Sequence, residues 1–215
     1  MALECKICGL TTPAAVDAAA AGGAAFVGFV FHAKSSRNLA LPAAGELARR
    51  VPAGIGRVGL VVDEPDARIA EILAAVPLDM LQLHGEESPE RVAAVKQRFG
   101  KPVMKAIPVA AAADLDRAAT YLRVADRLMF DAKRPPALAD APPGGNALAF
   151  DWRLIAGRDW PLPWMLAGGI NAGNLAEAVR VSGARRVDVS SGVEDRPGHK
   201  DPARIAAFLA LAAGL

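Results

Sequence analysis

Short apolar, β-branched runs alternate with Ala-, Leu-, Arg- and Glu-rich stretches at helical spacing along the chain, and the alternation repeats eight times. The runs predict strands at Leu3 to Cys8, Phe26 to Phe31, Arg57 to Val62, Met80 to His84, Val103 to Ile107, Leu128 to Asp131, Trp164 to Ala167 and Val187 to Ser190. The stretches after them predict helices at Pro13 to Ala21, Pro42 to Val51, Pro65 to Ala75, Pro89 to Phe99, Ala111 to Leu122, Asp151 to Ile155, Asn174 to Val181 and Pro202 to Ala213. Several begin with proline, whose fixed φ and missing N–H suit a first helical turn. Strand-then-helix units in series make a parallel sheet, because each helix carries the chain back to start the next strand in the same direction. An open doubly wound sheet alternates in the same way. Eight units favour the closed (β/α)8 TIM barrel, and 215 residues fit one such barrel as a single domain over residues 1–215.

Apolar residues make up 53% of the chain, enough for a large core, although much of that share is alanine. The net charge of +2 and the lack of a basic stripe interleaved with aromatics argue against nucleic-acid binding. The start, Met-Ala-Leu-Glu, lacks a basic segment followed by an apolar one, so no secretory signal is expected. The longest apolar stretch, Ala18 to Phe31, is shorter than a membrane span needs. Cys5 and Cys8 lie too close on one extended segment to bridge easily and have no metal-ligand company. The expectation is a cytoplasmic protein with reduced thiols, no metal and no membrane. No helix shows a clearly apolar outer face, so a monomer is expected, with a dimer as the alternative.

Two late segments look built to grip phosphate. Ala167-Gly168-Gly169-Ile170-Asn171 and Asp188-Val189-Ser190-Ser191-Gly192 each follow an apolar run and precede a helix-like stretch. Glycine lets the backbone approach a ligand closely, helix N-terminal amides favour anions, and the loops after strands 7 and 8 are the common phosphate site of such barrels. Gly168, Gly169, Asn171, Ser190, Ser191 and Gly192 are therefore candidate binding residues for a sugar phosphate. Two long loops, Phe31 to Asn38 and Ala132 to Ala149, would lie on the same face.

Side chains on a strand alternate between faces. On strand 1, Leu3, Cys5 and Ile7 should meet the helices, which leaves Glu4, Lys6 and Cys8 pointing into the barrel. On strand 8, Asp188 and Ser190 point inward. Strands 1 and 8 are neighbours in a closed barrel and a buried ammonium needs a partner, so Lys6 and Asp188 should meet. Gln82 and His84 end strand 4 inward, and Met129 and Asp131 end strand 6 inward, which rings the mouth with Cys8, His84 and Asp131. Taken singly, these residues have plainer uses. Cys8 suits a buried thiol, Asp131 a turn carboxylate or helix cap, Arg37 a loop salt bridge or a carboxylate clamp, and His84 a hydrogen-bonded structural residue. An Asp that ends a barrel strand is nevertheless where catalytic groups sit.

In order along the chain, several segments resemble the phosphoribosylanthranilate isomerase family. They are Lys6-Ile7-Cys8-Gly9-Leu10-Thr11, Val27-Gly28-Phe29-Val30-Phe31 with Lys34-Ser35-Ser36-Arg37, and Gln82-Leu83-His84-Gly85-Glu86-Glu87. Phe130-Asp131-Ala132-Lys133, Phe150-Asp151-Trp152, Gly168-Gly169-Ile170-Asn171, Asp188 to Glu194, Pro197-Gly198 and Lys200-Asp201 continue the match. The resemblance implies a cofactor-free Amadori rearrangement of N-(5-phosphoribosyl)anthranilate to 1-(2-carboxyphenylamino)-1-deoxyribulose 5-phosphate in tryptophan biosynthesis. It implies Cys8 as general base, Asp131 as general acid, and Arg37 at the anthranilate carboxylate. Asp131 would need to hold a proton, which an apolar barrel mouth promotes, and Cys8 would need to lose one, which Lys6 favours. The family's Gly-Gly-Thr/Ser-Gly pattern is replaced here by Gly144-Gly145-Asn146-Ala147. A histidine-pathway phosphosugar isomerase remains an alternative, against which Cys8 stands where that group carries Asp. A non-catalytic phosphosugar-binding barrel is a further alternative, for which neither Cys8 nor Asp131 would be needed.

Overall fold

A computed structural model of the protein describes residues 2–133 and 148–215. Its eight parallel strands are β1 (Glu4–Cys8), β2 (Phe26–Val30), β3 (Gly56–Val61), β4 (Met80–Leu83), β5 (Val103–Val109), β6 (Arg127–Ala132), β7 (Trp164–Leu166) and β8 (Arg186–Val189). They pair in sequence order, and β8 closes on β1. The (β/α)8 TIM barrel expected from the eightfold alternation is therefore the observed architecture.

Helices α1 (Pro13–Ala21), α2 (Leu41–Arg50), α3 (Asp66–Ala75), α4 (Pro89–Phe99), α5 (Ala112–Ala118), α6 (Leu175–Ser182) and α7 (Pro202–Ala213) follow β1 to β5, β7 and β8. Local chemistry sets their ends. Thr12, Ser88 and Asp201 accept hydrogen bonds from first-turn amides of α1, α4 and α7, each with proline at the start of the helix. Gly100 and Gly183 stop α4 and α6 in the left-handed conformation. Helices and outward strand residues such as Ile7, Phe29, Leu81, Phe130 and Val187 form the main core.

Three differences from the sequence expectation have local causes. The segment expected to be a helix from Asp151 to Ile155 is a single 3-10 turn, Trp152–Leu154, followed soon by Gly157 at φ 70° and by Pro161 and Pro163. The helix expected over Ala111 to Leu122 ends at Ala118 and continues as a 3-10 turn, Ala119–Tyr121. After β8 the chain does not pass directly into a helix. It first makes a hairpin of β9 (Glu194–Arg196) and β10 (His199–Lys200), turned at Pro197-Gly198 with Gly198 at φ 83°. Strands of three and two residues are too short to show period-two patterning. Most of the Ala132 to Ala149 loop, with Gly144-Gly145-Asn146-Ala147, lies outside the described residues.

Inside the barrel, Val58, Met80, Met104, Ala106, Met129, Met165 and Ala167 pack together as an apolar cluster. Polar side chains occupy the rest of the seam between β1 and β8. Lys6 has no solvent exposure and pairs with Asp188 at 2.8 Å, its register partner across the closure, as the alternation of strand faces required. Burial disfavours the ammonium most strongly, but Asp188 and Cys8 together outweigh it and hold Lys6 above the ordinary lysine range. Lys6→Met should therefore destabilise the barrel by roughly 3–5 kcal/mol, because it leaves Asp188 buried without its counter-charge. The double variant Lys6→Met/Asp188→Leu should recover most of that loss. Urea unfolding of the single and double variants measures both, and a double variant no more stable than the single one would contradict it.

Candidate active site

The C-terminal ends of the strands surround a cavity, open to solvent, lined by Cys8, Arg37, His84, Asp131, Gly168, Gly169, Ser190 and Ser191 among others. The position follows from the fold, since each of these groups ends an inward-facing strand row or lies in the loop beyond it. Among the described residues, no cluster of His, Cys, Asp and Glu is arranged to hold a metal ion, and no helix is long and apolar enough to cross a membrane.

Cys8 ends β1 and is buried, at the cavity wall. Its neighbour on β2, Gly28, explains how the thiol fits. A Cβ on Gly28 would lie 3.0 Å from Cys8 Sγ, 3.1 Å from Lys6 Nζ and 3.2 Å from the Cys8 backbone. The missing side chain is the space that the thiol and the ammonium share. Burial pushes the Cys8 thiol up, while Lys6 and, more weakly, Lys200 pull it down. Burial, helped by the Asp188 charge, wins, so these surroundings favour the protonated form of Cys8. Lys6 acts in the direction the sequence suggested, but it is not the larger effect. Cys5, on the other face of β1, is pushed up to about 12 by burial.

Asp131 ends β6 on the opposite side of the mouth and is 7% exposed. Its Oδ1 accepts from the Ala132 amide at 2.8 Å, and its Oδ2 lies 3.0 Å from His84 Nε2. His84 Nδ1 is in turn 2.7 Å from the amide nitrogen of buried Gln82. Sequence reasoning left His84 as a hydrogen-bonded residue outside the catalytic set. The structure makes it the direct neighbour of Asp131, in keeping with the inward alternation that places both at the mouth.

The two glycine-bearing turns meet beside these groups. Gly168 has φ 86°, a conformation open to glycine, and a Cβ there would lie 2.6 Å from the Ala132 nitrogen and 3.0 Å from Asp131 Oδ1. Gly168, Gly169, Ser190 and Ser191 line the cavity. Asn171 and Gly192 stand behind them. The Asn171 side chain donates to the Gly169 carbonyl at 3.1 Å and accepts from the Gly173 amide at 2.9 Å, which holds the turn after β7. Gly192 bridges to Asn171, and a Cβ on it would sit 2.1 Å from the Ile170 carbonyl oxygen. Its bareness lets the two turns touch.

Arg37 reaches the cavity from the loop after β2, buried and held on one edge by Glu194. Its Nε donates at 2.7 Å and its Nη2 at 2.8 Å. Lys200, also buried, bonds the same carboxylate and lies 3.3 Å from Ser190 Oγ. Burial alone would raise the Glu194 carboxyl, but Arg37 and Lys200 together hold it below the usual range. Glu194 and Lys200 were not singled out from the sequence as site residues. They belong to the hairpin β9–β10, whose presence the sequence pattern did not reveal.

Comparison with known proteins shows the family and the fold of the chain. The family described as N-(5'-phosphoribosyl)anthranilate (PRA) isomerase matches residues 5–210. The chain is 63% identical over 216 residues to the N-(5'-phosphoribosyl)anthranilate isomerase of Rhodospirillum centenum, covering 100% of both chains. The crystal structure of phosphoribosyl anthranilate isomerase from Thermotoga maritima superposes with a TM-score of 0.88 at 36% identity, covering 99% of this chain and 100% of that one. A phosphoribosyl anthranilate isomerase in complex with reduced 1-(o-carboxyphenylamino)-1-deoxyribulose 5-phosphate superposes with a TM-score of 0.83 at 33% identity, covering 99% and 100%.

The burial of Cys8 has a direct consequence in the free protein. In a Cys5→Ala background, the ultraviolet absorbance of the Cys8 thiolate should still be small at the ordinary thiol midpoint of about 8.5 and should grow only at higher pH. A titration midpoint at or below that ordinary value would show that Lys6, not burial, dominates.

Proposed function

The chain belongs to the N-(5'-phosphoribosyl)anthranilate isomerase family, aldose–ketose isomerases of tryptophan biosynthesis, and we propose that Cys8 and Asp131 carry its reaction as general base and general acid. The observation that supports this most is that both groups face one cavity, from β1 and β6, beside the paired turns after β7 and β8. In the proposed course, N-(5-phosphoribosyl)anthranilate binds with its phosphate against the turns built from Gly168, Gly169, Asn171, Ser190, Ser191 and Gly192. Arg37, fixed by Glu194, offers its charge to the anthranilate carboxylate.

Asp131 then gives a proton to the furanose ring oxygen as the bond from C1 to that oxygen breaks. The ring opens, and the anilino nitrogen supplies electrons to form an iminium at C1. Cys8, as thiolate, removes the proton from C2, and that electron pair flows into the iminium to give an enolamine. Protonation at C1 and loss of the C2 hydroxyl proton give the ketone, 1-(2-carboxyphenylamino)-1-deoxyribulose 5-phosphate. The iminium is the electron sink, so these steps call on no other group to accept electrons. The Ala132 amide takes one lone pair of Asp131 Oδ1, which leaves another where the acid's proton can sit.

Purified protein should quench the fluorescence of phosphoribosylanthranilate, and folded Cys8→Ala and Asp131→Asn variants should lower kcat by roughly 10²–10⁴ each, the usual contribution of a positioned acid or base. Turnover by either variant within tenfold of the wild type would remove that residue from its role.

A further inference from the structure

Gln82 is an expensive residue in its position. It lies fully buried on β4, one inward step above Met80, and its nitrogen touches Met129. Both residues belong to the apolar cluster inside the barrel. A methionine or leucine would pack there without burying an amide, and the Gln82 oxygen has no hydrogen-bond partner among the described residues. What the amide does accomplish is specific. Its nitrogen lies 2.7 Å from His84 Nδ1 and 3.4 Å from Met129 Sδ, so both of its hydrogens meet acceptors. The reversed amide would put oxygen against the thioether, which has no hydrogen to give. With Gln82 donating, His84 Nδ1 accepts, and the imidazole proton belongs on Nε2. That N–H points at Asp131 Oδ2, 3.0 Å away.

We propose that Gln82 and His84 are positioning residues for Asp131. Gln82 selects the Nε2–H tautomer of His84, and His84 fixes the carboxyl so that its remaining lone pairs face the substrate. This rests on the assignment of Asp131 as the general acid. The carboxyl is held at both ends, by the Ala132 amide at Oδ1 and by His84 at Oδ2. Loss of one holder frees rotation about the bond that aims the proton. Gln82 makes no contact with ligand in this scheme; it acts through His84.

Two measurements test it. The chain has three histidines, so ¹⁵N spectra of the imidazoles are simple, and the signals of His84 are those lost in His84→Gln. The wild type should show His84 with a bare Nδ1 and a protonated Nε2, and Gln82→Met should mix the two tautomers. In steady-state kinetics, His84→Leu should lower kcat by roughly ten- to a hundredfold, the scale of a misplaced reacting group, with KM little changed. His84→Gln, whose amide can reach the position of Nε2, should recover most of the loss. A wild-type His84 protonated on Nδ1 would overturn the proposal. So would a folded His84→Leu variant with undiminished kcat beside an inactive Asp131→Asn, or equal losses in His84→Leu and His84→Gln. An active Asp131→Asn would instead overturn the acid assignment itself, while the tautomer would still be read from the spectra.

Discussion

One buried ammonium, that of Lys6, organises the mouth of this barrel. A charge with no solvent exposure is tolerable only with a counter-charge in contact, and Asp188 supplies it from the strand that closes the sheet. The pair therefore constrains more than itself. A slip of one residue between β1 and β8 would turn one of the two charges outward, and a slip of two would set Glu4 or Cys8 against Asp188. With the register pinned, Cys8 and Ser190 stand at fixed heights, and the Ser190 hydroxyl donates to the Cys8 carbonyl at 3.2 Å. On the other side of Lys6, bare Gly28 leaves the room that the ammonium and the thiol need.

The rest of the mouth divides by chemistry. Along the seam of β8, β1 and β2 the groups are charged. Arg37, Glu194 and Lys200 tie the loop after β2 to the hairpin β9–β10, and Gly198 in that hairpin sits so close to Ser36 that a Cβ would lie 2.5 Å from the Ser36 carbonyl oxygen. Across the cavity, from β4 to β6, the contacts are hydrogen bonds in a row, Gln82 to His84 to Asp131. The charged side suits the two anionic ends of the proposed substrate, while the hydrogen-bonded side holds Asp131, the group proposed to give up a proton. The methionine-rich cluster keeps water from the interior below them, which strengthens each of these contacts.

The parts of the fold that repeat were legible in the sequence. Eight apolar runs marked eight strands, and period-two alternation placed Lys6, Cys8, Gln82, His84, Asp131 and Asp188 on the inner face. The parts that occur once were not legible. The hairpin β9–β10 is too short for periodicity, and it carries Glu194 and Lys200, so the partner of Arg37 went unseen. Likewise the single turn at Trp152–Leu154 looked like a helix because its residues are good helix formers, while the prolines after it set the limit. The environment of Cys8 was legible in kind but not in balance. The sequence names Lys6 as a neighbour, but only the packing of both strands reveals how completely the thiol is removed from water.

That balance has a meaning for the proposed chemistry. A thiol kept protonated by burial would be a poor base before the ring opens, because forming the thiolate places a negative charge where burial disfavours it. The proposed reaction does not ask for that. Ring opening first produces an iminium at C1, one bond from the carbon that loses its proton. A positive charge beside the sulfur then adds to Lys6 and opposes burial at the step that needs a thiolate. On this view Asp131 acts first not only in sequence but in electrostatics. By opening the ring it creates the charge that lets Cys8 act as a base.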